Sequence, residues 1–373
     1  MNSEKTIYAP KEQELIHQSV YVKKIRPLLP PEALEPDSNK IGILLINVAI
    51  LILGWGIAAR LDSWPIYLLW LYLPLALIMG NSVLVLLFSS HDLMHGSVMK
   101  KKSLLTYWIS FIGLSMWFMP PTQWKSLHNL VHHNNTNSLA DPDRNYLYEQ
   151  PDTWGKRIHN IFAPSIEIHP FWLPVGMTGS WVVHNFRNLT SVLLFNKKSV
   201  DYVPAAFTVS SKDRWAIGFE CLGILAIHFS ILFYLGFQPL KVAIAYLLPL
   251  AIGHAGGMFY IFTNHLMCRM TEVNDPLINS VSLRVPKIFD LLHFNFSYHT
   301  EHHVFPSINS DYYPLVQELL QIHYPGRMNL VDASEAWRLL MDTPRHYKDE
   351  VTLADSLGNN SVNCPLDNSA IAT

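Results

Sequence analysis

Four long apolar stretches of this chain carry no charged residue, and they come in two pairs. Residues 41–59 form a run of 19, and after a short turn residues 63–90 form a run of 28. Residues 221–240 and 242–264 make the second pair, with only Lys241 between them. A helix needs about 20 apolar residues to cross a bilayer core. Lipid offers no partner to an unpaired backbone group, so such runs must be helical. The pattern therefore predicts an all-α integral membrane protein, with four transmembrane helices in two hairpins. The expected spans are about 41–59, 64–88, 219–238 and 242–264. Composition agrees: 50% of residues are hydrophobic and 15% charged, against about 25% charged in an ordinary globular chain. A net charge of −2 supplies no basic field for nucleic acid. Cys221, Cys268 and Cys364 are scattered, which suggests neither a disulfide framework nor a thiolate metal site.

The second run is too long for its task. At ~1.5 Å per residue it makes a helix of ~42 Å, against a hydrocarbon core of ~30 Å. Its end should protrude, and that end reads HDLMH. A shorter apolar run, residues 104–120, is borderline for a span. Residues 1–40 are polar and read as a cytoplasmic arm, whose start lacks the apolar core of a signal peptide. Residues 134–214 read as a membrane-peripheral segment. Residues 331–373 read as a C-terminal tail, its last 20 or so disordered. Lys23, Lys24 and Arg26 precede the first span and Lys100, Lys101 and Lys102 follow the second, while the hairpin turns hold only Arg60 and Lys241. The positive-inside rule then puts both termini and the protruding end in the cytoplasm.

The chain has 18 histidines, and eight fall in three clusters: His91 and His95; His128, His132 and His133; His299, His302 and His303. Residues three and four apart share a helix face, ~5–6 Å apart at Cβ. Two imidazoles so placed can reach one ion through bonds of ~2 Å. Imidazole sites suit zinc, copper, iron and nickel. Eight ligands exceed what one ion holds, so two ions are expected. The clusters contain no cysteine, unlike most structural zinc sites. The paired Glu–x–x–His motifs of di-iron carboxylate bundles are missing; Glu14–His17 stands alone. The residues favour a histidine-rich di-metal centre at a membrane surface, with iron the leading metal. Asp92, Asp141, Asp143 and Glu301 are candidates to hold the outer ring nitrogens. Asn264 and Asn295 could orient a water or a ligand. His228 and His254, inside apolar runs, read as packed and hydrogen-bonded, and His293 as a weak alternative ligand.

The ordered stretches HDLMHGS, HNLVHHNNTN and YHTEHHVFPSI, set between two pairs of apolar runs, resemble the integral-membrane fatty acid desaturase and hydroxylase superfamily. The resemblance covers roughly residues 40–330, giving a membrane domain over 41–330. It implies that the three boxes bind two irons that activate dioxygen. It also implies a further ligand soon after the last span, a role that falls on His265. The expected function is an oxygen-dependent fatty acyl desaturase. The lipid substrate enters from the bilayer, and the electron donor is separate (a ferredoxin or b-type cytochrome), since no His–Pro–Gly–Gly haem-binding stretch occurs. A carotenoid ketolase or a hydroxylase is the alternative within this chemistry. A metal-binding or transport protein is the alternative outside it, but its ligands should line a path inside the spans. A shared centre also constrains topology. Were residues 104–120 a span, boxes one and two would lie ~30 Å apart across the membrane. That run is expected to lie in the interface, with the histidines in a cytoplasmic helical cap.

Overall fold

The computed structural model describes residues 14–99 and 103–366. Lys100, Lys101 and Lys102, used above for orientation, lie outside the described residues, as do the chain's first 13 residues and the end of the expected tail. Four described helices are long and apolar enough to cross a membrane: Lys40–Ala58, Ile66–His95, Ser211–Tyr234 and Pro239–His265. The second and fourth begin earlier or end later than their uncharged runs, and the third begins at Ser211. There Ser210 Oγ accepts the Asp213 N–H at 3.1 Å and caps the helix before its first apolar residues.

The second and fourth spans form the inside of the bundle. Their most apolar stretches are 61% and 44% buried, against 28% for the first and third. The two inner helices approach closely because glycine removes the side chain between them. A Cβ on Gly253 would sit 2.6 Å from Val83 Cβ and 2.9 Å from the Gly80 carbonyl. The hairpin turns are tied to each other: Lys241 Nζ donates to the Ala59 carbonyl at 2.9 Å and to the Asp62 carboxylate. At the opposite end of the first span, Lys40 Nζ donates to Asn309 Oδ1 and Ser310 Oγ, both at 2.7 Å. That contact joins the start of the first span to the loop after the third histidine box.

The second span runs to His95, where Gly96 ends it at φ 85° and its N–H returns to the Asp92 and Leu93 carbonyls. With 30 residues it is ~45 Å long, so its histidine end overhangs a ~30 Å core. The next apolar helix, Leu104–Ser115, has 12 residues and covers ~18 Å, too short to cross. It packs beside the second span, and the chain then turns at Phe118 (φ 51°) into the helix that carries box two.

Helices Trp154–Phe162 and Trp172–Thr190 pack on each other, and the latter also lies along the last span. Strands β1 (Ser282–Arg284) and β2 (Leu330–Asp332) pair in parallel. Strands β3 (His346–Tyr347), β4 (Thr352–Ala354) and β5 (Ser361–Asn363) form an antiparallel sheet. This corrects the expectation of a disordered end. Leu353, Ala354 and Cys364 are buried. The polar stretch between β4 and β5 is turn chemistry: Asp355 accepts the N–H groups of Leu357, Asn359 and Asn360 at 3.1, 2.9 and 2.9 Å. Low hydrophobicity there reflects a hairpin on the surface, not a chain without structure. Residues 367–373 of that expectation lie outside the described residues.

Candidate metal centre

The nine histidines singled out by sequence come together at one end of the bundle and divide into two groups. His91 and His95 sit on the last turns of the second span, and His265 is the last residue of the fourth. Box three occupies the short helix His299–Val304. One nitrogen from each of His91, His95, His128, His133 and His302 lies within 4.8 Å of the others. His132, His265 and His303 form a second such group. His299 joins it, its Nε2 lying 2.7 Å from His265 Nε2 and 3.1 Å from His303 Nε2.

The split within box two comes from the backbone. Its helix is α-helical over Pro121–Trp124, π-helical over Lys125–His132 and α-helical again over His133–Asn135. A π-helix bonds i to i+5, so it widens each turn. His128 therefore faces His133, five residues on, with their Nε2 atoms 3.1 Å apart. His132 keeps its expected place beside His128, the two rings stacked with centroids 5.3 Å apart and forming a further group with Asp143, and it also meets His265 and His303. Box three behaves as an α-helix should: His299 and His303 fall in one group and His302 in the other.

The spacings suit ions. His133 Nε2 is 3.1 Å from both His128 Nε2 and His302 Nε2. Two ligands at right angles on an ion with bonds of ~2.1 Å are ~3.0 Å apart. His91 Nε2 is buried among these rings with no hydrogen-bond partner. Burial and neighbouring imidazoles hold His128, His133, His299, His302 and His303 well below the usual histidine range. Neutral imidazole keeps the lone pair that a metal needs. His132 is the exception. Burial opposes its charge, but the Asp141 and Asp143 carboxylates raise it to about 9. They favour positive charge on that ring, whether from a proton or from an ion.

The outer nitrogens of five of the rings are held. His132 Nδ1 lies 3.0 and 3.1 Å from the two Asp141 oxygens. His91 Nδ1 lies 3.1 Å from Asp92 Oδ1. His265 Nδ1 lies 3.1 Å from the Asn279 carbonyl. A carbonyl only accepts, so that nitrogen carries the proton and Nε2 keeps its lone pair. His302 Nδ1 meets the Tyr313 hydroxyl at 3.0 Å, and His303 Nδ1 meets Thr136 Oγ1 at 3.2 Å. Fixing one nitrogen sets the tautomer and aims the other. Asp141 also accepts the Asn137 and Asp143 N–H groups, so the Asp–Pro–Asp segment both turns the chain and holds a ring.

Several expectations are corrected. Glu301 touches no histidine side chain: it accepts from Ser282 Oγ at 2.5 Å and Gln317 Nε2 at 2.6 Å. On its helix it points away from His302 and His303. Asn295 bonds the Ser310 carbonyl at 3.0 Å. His293 lies apart from both groups, between Tyr260 and Asn81. Asp143, by contrast, does lie beside a box histidine, 3.7 Å from His132, and 3.3 Å from His184. His254 and His228 are packed as expected, bonding the Met116 and Ser115 carbonyls at 3.1 and 2.9 Å. Sequence reasoning missed Thr136, Tyr313 and the Asn279 carbonyl. Only Thr136, three residues after His133, sat where a search near the boxes could have found it.

A cavity borders both groups. His91, His128, His132, His265 and His299 line it, together with apolar residues such as Ile158, Phe162, Met258, Ile261 and Phe262 and the polar Asp143, Arg144, His184 and Arg187. An apolar pocket walled by imidazoles suits a hydrocarbon chain presented to a metal centre. No curated protein matches the sequence. The signature of the fatty acid desaturase family matches residues 40–328, most of the chain. With that match, four apolar helices and a buried histidine cluster, the chain belongs to the fatty acid desaturase family, which implies an oxidoreductase of desaturase or hydroxylase type using a lipid and oxygen.

Proposed function

We propose that the protein is an oxygen-dependent acyl-lipid desaturase that holds two irons. His91, His95, His128, His133 and His302 would bind one ion, and His132, His265, His299 and His303 the other. The observation that carries this reading is the convergence of nine imidazoles into two groups beside one apolar cavity. When bound, the metal pair supplies oxygen-dependent oxidation of an unactivated C–H bond, chemistry that no side chain can perform. The chain's own residues do the rest. Asp92, Asp141, Thr136 and Tyr313 aim the imidazoles. Met258, Ile261 and Phe262 exclude water and align the chain against them.

The short Leu104–Ser115 helix supports a run that stays on one side of the membrane. Lys23, Lys24 and Arg26 before the first span favour a cytoplasmic site and termini. The electron donor is proposed to be a separate protein. A carotenoid ketolase or hydroxylase remains the second reading, since the same centre serves it. A transporter is disfavoured, because the histidines gather at span ends and His228 and His254 are bonded to backbone.

Iron content and lipid profile test the proposal together. About two irons per chain, and new double bonds in the acyl lipids of an expressing host, are expected. One zinc per chain would sink it, and new keto- or hydroxy-carotenoids would replace its substrate.

A further inference from the structure

The cavity reaches only some of the nine imidazoles. His95, His133, His302 and His303 do not line it. The N-terminal arm bears on the backbone of two of these four. Gln18, which opens the helix Gln18–Ile25, donates from Nε2 to the His303 and Val304 carbonyls at 2.6 and 3.1 Å. These end the box-three helix, whose own turns leave its last carbonyls unpaired. The Gln18 N–H donates to the Asn274 carbonyl at 2.9 Å, and Asn274 Nδ2 donates to the His133 carbonyl at 2.7 Å. One residue of the arm thus acts on box three directly and on box two through Asn274.

The rest of the arm is fastened over the same side. Asp275, fully buried, accepts the Ile16 N–H and the Tyr21 hydroxyl, each at 2.8 Å, and pairs with Arg327. Tyr21, Ile25 and Ala33 are fully buried, in one apolar cluster with Val304 and Tyr313. Tyr313 is the residue that meets His302 Nδ1. Further along, the Ala33 carbonyl accepts the Asn309 N–H, and the Asp37 N–H donates to the Ser97 carbonyl just past box one, both at 3.0 Å. Residues 14–37 therefore tie all three boxes from outside.

Eight of the nine histidines are buried, so an ion can enter or leave only when some segment opens. A hydrated cation coming through the cavity would lose water to apolar walls and pass Arg144 and Arg187, which repel it. Lifting the arm meets neither obstacle. It would release the six-residue helix that carries His299 and His303 for one group and His302 for the other. A single opening there reaches both groups.

We infer that residues 14–37 form a strap over the metal centre, that ions enter and leave beneath it, and that Gln18 is the positioning residue that keeps box three closed. This rests on the proposed function only for the presence of ions. Metal and substrate then use different doors: the strap admits one and the cavity the other.

The test is metal exchange, not turnover. Purified full-length protein in detergent is loaded with Fe2+ without air, and release to the chelator ferrozine is timed. Metal-free protein is then given Fe2+ and its uptake is timed. In Gln18→Leu both rates should rise about tenfold, the size of one or two lost hydrogen bonds. Tyr21→Phe, which takes the phenol oxygen from Asp275 and Arg327, should move both rates the same way. Lys241→Met is the control, since it unties the hairpin turns at the far end of the bundle. It should lower the melting temperature and leave both rates within about twofold, as expected of a distant site. Hydrogen exchange in metal-free protein gives a second readout. Gln18→Leu should speed exchange of the box-three amides and leave the first span unchanged. Faster release without faster uptake would mean that the arm only supports bound rings, and overturns the route. Equal acceleration in Lys241→Met would reduce the effect to lost stability, and overturns it too. A wild-type protein that takes up no iron sinks the proposed centre. Box-three exchange then decides the strap alone, and exchange unchanged in Gln18→Leu overturns it.

Discussion

The two histidine groups differ in how their rings are held. In the four-membered group, His132 faces both oxygens of Asp141, His265 faces a backbone carbonyl and His303 faces Thr136. In the five-membered group, His91 faces Asp92 and His302 faces the Tyr313 hydroxyl; one buried Nδ1 in each group, His133 here and His299 in the other, has no partner. The first group has fewer rings but three of its four are held, one by both oxygens of a carboxylate that also closes its own turn. The second has more ligands, drawn from the ends of three different segments. Pre-organised rings lose less freedom on binding, so the four-histidine group should hold its ion more tightly per ligand.

The largest effects should come from the ligands themselves. His132→Ala and His302→Ala strike opposite groups, and each should lower acyl product by at least ~100-fold. Metal analysis should find about one ion lost in each. Loss of both ions from either variant would break the division into two groups.

Support residues should act more weakly and unequally. Asp141→Asn is expected to weaken metal retention by ~10–100-fold against a chelator. Tyr313→Phe removes one neutral hydrogen bond worth ~1 kcal/mol, so its effect should stay below about tenfold. Equal effects would mean that the carboxylate gives no extra hold.

The smallest effect on metal should come from His254→Leu. Metal content should match wild type, because its ring bonds the Met116 carbonyl and reaches neither group. Stability should fall by ~1–3 kcal/mol, read as a lower melting temperature, since that carbonyl loses its partner. A metal-depleted His254→Leu protein would show a longer-range link than the contacts provide.

The four spans were legible because lipid admits only long uncharged helices, and residues 41–59 and 221–264 carry that pattern openly. Box three was legible too, since three- and four-residue spacings map directly onto an α-helix face. His265 was legible only through resemblance, because a lone histidine at a helix end has no spacing to judge. Box two was legible as a cluster but not in its winding: HNLVHH placed His128 beside His132, and the π-helical turn also brings His128 to His133. Glu301 looked like a ring holder from proximity alone, yet it bonds Ser282 and Gln317.

The sequence by itself determined the local terms of this protein: which segments lipid can cover, and which short stretches carry ligand-type side chains. Those follow from composition and from helical periodicity within one segment. Only the tertiary structure decided how nine imidazoles gather into a group of five and a group of four, and the identity of Tyr313, Thr136 and Asn279 as supports. These contacts join residues as far apart as His133 and His302, and a change of helical winding decides which ring faces which. Neither distance across the chain nor local winding is written in residue spacing.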